Sequence, residues 1–470
     1  MRRAYAILLA LCLALIGALA TAGPAQAAPQ TVANGIQFTD TSGAALHAHG
    51  GGVIKVGSYY YWFGEDRNAD NTFRYVDAYR STDLKNWEFR NHVLTQSSAS
   101  ELATAYIERP KVIYNASTGK FVMWMHKENG TDYSEARAAV AVSDTIDGTY
   151  TYQGSFRPLG QYMSRDITAY VDTDGTAYMV SAARENYDLH IYRLTADYTG
   201  IASLVANPWP GGHREAPALF KRGGVYFMLT SGATGWDPNQ QQYATATSLA
   251  GPWTAMTNVG DSTAYGSQTA YVLPIQGTSG TSYLYMGDRW GNSFSGTVND
   301  SRYVWLPLTF PSSTSMSMSW YPELTVDTAA GTVTGTSATY NTLIARHSSK
   351  CADVTGQSQW QGTQIKQYDC NGGNNQKYWF KSVGSGYYQL VVRHSSLCVQ
   401  ENSTTITQEN CNASSTNQQW SLTATGSYVN VKSRATGECL DVSGASTANG
   451  AAIITYTCNG GTNQQWTRGS

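Results

Sequence analysis

The chain has 470 residues, with 14% charged, 12% aromatic and a formal net charge of −2. That charge, without a basic stripe, excludes nucleic acid as a partner. The length allows two domains, and 45 Gly and 32 Tyr beside few helix-forming stretches predict an all-β fold.

At the N-terminus, Arg2 and Arg3 precede an apolar core from about Ala6 to Ala20, and Ala25-Gln26-Ala27 offers a small-residue cleavage site. Residues 1–27 therefore read as a secretion signal, giving a secreted, extracellular chain. The apolar run is too short and wrongly flanked for a membrane span, and nothing later is apolar enough to be one. Of seven cysteines, Cys12 leaves with the signal, and Cys351, Cys370, Cys398, Cys411, Cys439 and Cys458 remain. An even count in a secreted chain implies disulfides. Their confinement to the last third divides the chain into two units, the first held together by core size alone.

From His49 onward a coarse unit recurs: a polar residue, an apolar strand, a turn and an aromatic strand. Its five copies begin at His49-Gly50-Gly51-Gly52, Glu108-Arg109-Pro110-Lys111, Arg165-Asp166-Ile167, His213-Arg214-Glu215-Ala216-Pro217 and Ser267-Gln268-Thr269. The spacing suits four-stranded propeller blades, so a five-bladed β-propeller is expected over residues 34–325. Several units end in a polar turn and an aromatic (Trp87, Tyr150, Trp253) suited to packing between blades. In a propeller the residues that start the inner strands ring one end of the central channel. That ring would hold Gly50, Glu108, Asp166, Glu215 and Gln268.

Carboxylates gathered in one pit repel each other, a cost that function can require. Glycosidic bond hydrolysis needs such a group: one protonated acid for the leaving oxygen, another for water or for the developing positive charge. Glu65, Trp124, His126, Arg184, Trp236 and Asp237 lie at strand ends or in following loops, within reach of the pit for substrate contact. No spacing reads as a zinc site, and neither a metal nor another cofactor is expected.

These motifs resemble the family 43 glycoside hydrolases, inverting five-bladed propellers, over about Gly50 to Phe310. Glu-Arg-Pro-Lys at 108–111, Ser-Arg-Asp at 164–166, Arg-Glu-Ala-Pro at 214–217 and Gly-Ser-Gln at 266–268 look like the exo-β-1,3-galactanase branch. The resemblance implies that Glu215 is the general acid and that Asp166 orients and tunes it. The family's usual aspartate base would fall on Gly50, and its absence is typical of that branch. There a glutamate and a glutamine, matching Glu108 and Gln268, handle the water. Gln268 is read as positioning it, with Glu108 binding the sugar or assisting; the rival reading makes Glu108 the base.

Residues 326–340 are small and polar and read as a linker. A second repeat follows over 341–470, each copy with paired cysteines and a closing run: Asn375-Gln376-Lys377-Tyr378-Trp379, Asn417-Gln418-Gln419-Trp420 and Asn463-Gln464-Gln465-Trp466. Trp379, Trp420 and Trp466 are expected to pack in its core. This unit resembles the ricin-B-type β-trefoil, carbohydrate-binding module family 13. The resemblance implies the pairs Cys351–Cys370, Cys398–Cys411 and Cys439–Cys458. It also implies sugar pockets at Asp353, Tyr368 and Asn375, and at Asp441, Tyr456 and Asn463. The second repeat has Gln400 and Glu409 in the corresponding places and should be inactive.

The expected protein is a monomeric, secreted exo-β-1,3-galactanase with galactan or arabinogalactan as its partner. The alternatives are an exo-glycosidase acting on arabinose or xylose, and a catalytically dead galactose-binding lectin.

Overall fold

The computed structural model describes residues 28–403 and 405–469; the expected secretion signal lies outside them. The described residues are all-β, with short 3-10 turns and no α-helix. Five four-stranded antiparallel sheets follow one another along the chain. Their first strands are His49–Val56, Tyr106–Asn115, Ile167–Val171, Arg214–Arg222 and Gln268–Gly277. Each first strand packs beside the next, and the last returns against the first, closing a ring.

Strand alternation puts every second side chain between neighbouring sheets, and separate apolar cores fill those gaps. Trp62, Trp87, Met286 and Trp305 join the fifth sheet to the first. Trp124, Met179 and Tyr192 join the second to the third. The aromatics expected to pack between sheets lie just before the outermost strands: Trp87 and Tyr150 are buried, and Trp253 is partly buried beside the cluster of Met228 and Leu249.

The segment read as a linker is more ordered than its composition suggests. Glu323–Asp327 pairs with Gln30–Ala33 on one side and with Thr332–Thr336 on the other. Residues 332–336 read Thr-Val-Thr-Gly-Thr, and Val326 and Val333 face the core shared by the first and fifth sheets. Small, polar composition hid a strand that buries Val333.

The remaining strands, from Tyr340 to Gly469, form one continuous sheet system. Its three repeats place Tyr378, Trp420 and Trp466 in one apolar cluster. Trp379 is therefore a correction: it is partly exposed, and its neighbour Tyr378 takes the core place at 1% exposure. The registering residue is the glutamine. Gln376, Gln418 and Gln464 each accept from a backbone N–H just past the second cysteine, at Asn371, Asn412 and Asn459 (2.9, 2.7 and 2.9 Å). The aromatic two residues after each glutamine is the one turned inward. The three disulfides pair within repeats: Cys351–Cys370, Cys398–Cys411 and Cys439–Cys458.

Trp420 also donates its indole N–H to the Val399 carbonyl at 3.1 Å. Trp420→Ala is expected to lower the stability of the C-terminal unit by about 3–5 kcal/mol, and Trp379→Ala by much less. Urea unfolding followed by fluorescence compares the two.

Candidate active site

Four of the five inner strands carry a kink near their opening residues. Register shifts follow His49, Glu108, Glu215 and Thr269. Gly50, Arg109 and Ala216 there have positive φ of 63°, 56° and 50°. Prolines 110 and 217 follow two of these residues, at places where no ladder N–H is needed. Such bulges re-aim side chains, and here Glu108 and Glu215 face the end of the ring. With Asp166 and Gln268 they line one cavity of about 260 Å³. Glu65, His126 and Trp236 line it too.

Three other candidates do not. Trp124 is fully buried and donates its indole N–H to the Tyr198 carbonyl at 2.9 Å. It shares a strand face with His126 but lies two residues deeper, between sheets. Asp237 is exposed in a turn closed by its own N–H to the Thr234 carbonyl. Arg184 is 62% exposed and pairs with Asp188 at 2.8 Å.

Glu215 is 6% exposed. Its Oε1 accepts from Gln268 Nε2 and its Oε2 from Asn186 Nδ2, both at 3.0 Å. Burial, reinforced by the negative charge of Asp166, pushes its carboxyl up to about 8. Asp166 in turn accepts from Arg109 Nε and from the Ala216 backbone N–H, each at 3.0 Å. It thereby holds the bulge that carries Glu215.

Gln268 has its amide orientation fixed from both ends. Oε1 accepts from Arg109 and from the Trp290 indole N–H (2.7 Å), while Nε2 donates to Glu215 and to Ser231 Oγ (2.9 Å). Glu108 is capped by three donors: Arg67 Nη2 and Tyr133 Oη, both at 2.8 Å, and His126 Nδ1 at 3.0 Å. Burial opposes its ionisation. The Arg67 charge and the His126 hydrogen bond outweigh that and hold it well below the usual carboxylate range.

Glu65 shares Arg67 with Glu108 and also accepts the Arg109 backbone N–H at 2.9 Å. Burial pushes its carboxyl up. It explains the glycine at position 50: a Cβ there would come within 2.3 Å of Glu65 Oε1. The second strand of the sheet delivers its carboxylate into the space where a side chain from the first would begin. Beneath it, Lys111 donates to the Gly50 carbonyl at 2.5 Å. Burial, with Arg109 nearby, lowers this ammonium to about 7.

Glu108, His126 and Asp166 lie close enough for each to offer one atom to a cation. His126 does not suit that role. Burial opposes its charge, but hydrogen bonds to Glu108 and Glu128 raise it to about 9. The imidazolium donates from both nitrogens and has no lone pair for a metal.

Sequence reasoning missed Arg67, Tyr133, Asn186 and Trp290, all of which line the cavity. Arg67 carried a readable signal, two residues from Glu65 on a strand and hence on the same face. Asn186 sits in a run of three residues with positive φ, Arg184, Glu185 and Asn186, and nothing in their identities announces it.

In the C-terminal unit, Asp353 Oδ2 accepts from Asn375 (2.9 Å) and Gln376 (2.8 Å) beside a recess of about 410 Å³. Asp441 repeats this with Asn463 and Gln464 at the same distances. Tyr368 and Tyr456 stand 47% and 55% exposed beside them. In the second repeat Gln400 is bonded to Asn402 and Gln418 instead.

A family model described as glycosyl hydrolases family 43 matches residues 49–292, a span that takes in every position of the ring. The chain belongs to glycosyl hydrolase family 43. Residues 339–466 match the ricin-type beta-trefoil lectin domain. Among solved structures, the chain is 46% identical to an exo-β-1,3-galactanase from Clostridium thermocellum, over 93% of this chain and 99% of that one, with a TM-score of 0.66. It is 29% identical to an exo-β-1,3-galactanase from Phanerochaete chrysosporium bound to β-1,3-galactotriose, over 93% and 92% of the two chains, with a TM-score of 0.64. A curated xylan 1,3-β-xylosidase from Vibrio sp. is 23% identical over 201 residues, and the match spans 35% of that protein.

Gly50→Asp tests the glycine. Its positive φ and the Glu65 carboxylate both oppose a side chain, so the variant is expected to lose thermal stability and activity. Adding Glu65→Ala should restore part of the lost stability, the strain of the positive φ remaining; thermal unfolding of both variants measures this.

Proposed function

We propose that the chain is a secreted exo-β-1,3-galactanase acting by inversion, its five sheets the blades of a β-propeller and its trefoil a galactan-binding module. One observation carries this reading: Glu215, a carboxyl kept protonated near neutral pH, stands in a cavity of about 260 Å³. That volume lies below the usual range for drug-sized ligands and suits one sugar ring entered from a chain end. The similarity to two exo-β-1,3-galactanases supplies the substrate class.

In this reading Glu215 donates its proton to the glycosidic oxygen as the bond to the anomeric carbon breaks. A water attacks from the opposite face and passes its proton to solvent, which yields galactose with inverted configuration and Glu215 as a carboxylate that solvent reprotonates. Burial, reinforced by Asp166, keeps Glu215 protonated, and Asp166 holds its strand in place. Once Glu215 turns to the leaving oxygen, the Gln268 N–H that bonded it is released to orient the water. Glu108, with three donors already on its carboxylate, is a weak proton acceptor. Its fixed negative charge serves instead to hold the sugar and to stabilise positive charge at the ring.

Incubation with β-1,3-galactan should release galactose, and incubation with arabinan or xylan should not; absence of galactose would sink the proposal. Glu215→Gln should lower turnover by at least the ~10²-fold typical of a lost general acid. Since the acid must be protonated to act, kcat/KM should fall as pH rises through about 8. In Asp166→Asn the charge that favours the protonated form is gone, so that limb moves to lower pH. Comparing Glu108→Gln with Gln268→Glu separates the two accounts of the water. Azide rescue of Glu108→Gln would make Glu108 the base, whereas the proposal expects no rescue.

A further inference from the structure

A second recess, of about 370 Å³, lies where the fourth and fifth sheets meet the lectin-type unit. Tyr265, Trp320, Gln357 and Asn374 line it, together with Arg289 and Arg393. Its lining carries more positive than negative charge, Arg289 and Arg393 against Asp261. Arg289 is 6% exposed and donates to carbonyls alone: His394 at 2.9 Å, Tyr265 at 3.0 Å and Gly35 at 3.5 Å. Its Nε is buried without a partner. Arg302, 8% exposed, donates to the Ser395 carbonyl at 3.1 Å and to Gln359.

Burial depresses both guanidiniums, to about 9 and about 10, and the charge of Arg302 adds to the effect at Arg289. Arg393 stacks over Tyr340 at 5.1 Å, which leaves its N–H groups without a side-chain acceptor among the described residues. Asp261 lines the recess too; its Oδ1 accepts from the N–H groups of Thr263 and Tyr265, and its charge offsets only part of that carried by Arg289 and Arg393.

Carbonyl bonds tie the two units together but do not neutralise buried charge. Buried cations are ordinarily paired, and leaving them unpaired costs several kcal/mol. An anion in the recess would offset that cost. The remaining lining fits a sugar ring: the Tyr265 and Trp320 rings, 6.0 Å apart and tilted by 42°, offer an apolar face. The amides of Gln357 and Asn374 suit hydroxyls. Guanidinium groups bind carboxylates bidentately.

The recess is also next to the catalytic cavity. Trp236 and Trp290 line the cavity, and Pro238, Ser293 and Phe294, on the same two loops, line the recess. We infer that this recess binds the carboxylate-bearing sugar ring of an acidic branch on the polysaccharide. Placing the acid on a branch of the substrate rests on the proposed function.

The test is titration calorimetry of the whole chain with methyl β-glucuronide, in excess galactose so that the catalytic cavity and lectin pockets are filled. Methyl β-glucoside, the same ring without the carboxylate, and sodium sulfate are the controls. The inference expects saturable glucuronide binding, at least ten-fold tighter than either control, and at least ten-fold weaker in Arg393→Gln. Unchanged galactose release from linear galactan by Arg393→Gln would show that the variant is folded. Glucuronide binding no tighter than glucoside, sulfate binding equally well, or full affinity in Arg393→Gln would each overturn it. The readout is binding, so the result does not depend on whether the galactan reading holds.

Discussion

The acids of the catalytic cavity coexist because two buried guanidiniums stand among them. Arg67 bridges Glu65 and Glu108, and Arg109 connects Asp166 to Gln268 while its backbone N–H holds Glu65. Without them several carboxylates inside one low-dielectric recess could not share it at neutral pH. The two arginines also divide labour. Arg67, with His126, fixes Glu108 as an anion. Arg109 pairs with Asp166, while burial, reinforced by the Asp166 charge, keeps Glu215 protonated. Opposite protonation states of neighbouring glutamates thus follow from close cations at Glu108 and from burial beside an anion at Glu215. That separation is what acid-assisted bond cleavage requires.

The position of Arg109 is itself a product of the fold. It sits at the bulge of the second inner strand with φ of 56°, and Pro110 follows. A regular strand would turn its side chain alternately in and out. The bulge lets Glu108 and Arg109 both point into the cavity, so that one short motif supplies an anion and the cation that balances its neighbour.

Much of this was legible in the sequence. The repeat located all five ring positions, because inner strands open on polar residues before apolar runs. Disulfide pairing followed from a second repeat and its family resemblance, which also grouped Asp353 with Asn375 and Asp441 with Asn463. What escaped has a common cause. Trp124 and Trp379 were misjudged because depth within a sheet, or a one-residue offset in register, decides between core and surface, and residue type does not encode either. Asn186 reaches Glu215 by way of left-handed backbone at Arg184, Glu185 and Asn186, none of them glycine. The strand at 332–336 was hidden by small side chains whose burial depends on a partner, Glu323–Asp327, rather than on their own hydrophobicity.

The glycine at position 50 has a consequence for which strand supplies the acid beside it. An aspartate at the head of the first inner strand and a glutamate delivered from the second would occupy the same volume. A side chain at the head of the first strand would require the Glu65 carboxylate to move away from Arg67 and the Arg109 N–H. The glycine thus leaves that volume to an acid carried by the neighbouring strand, and the positive φ of 63° keeps the place suited to glycine.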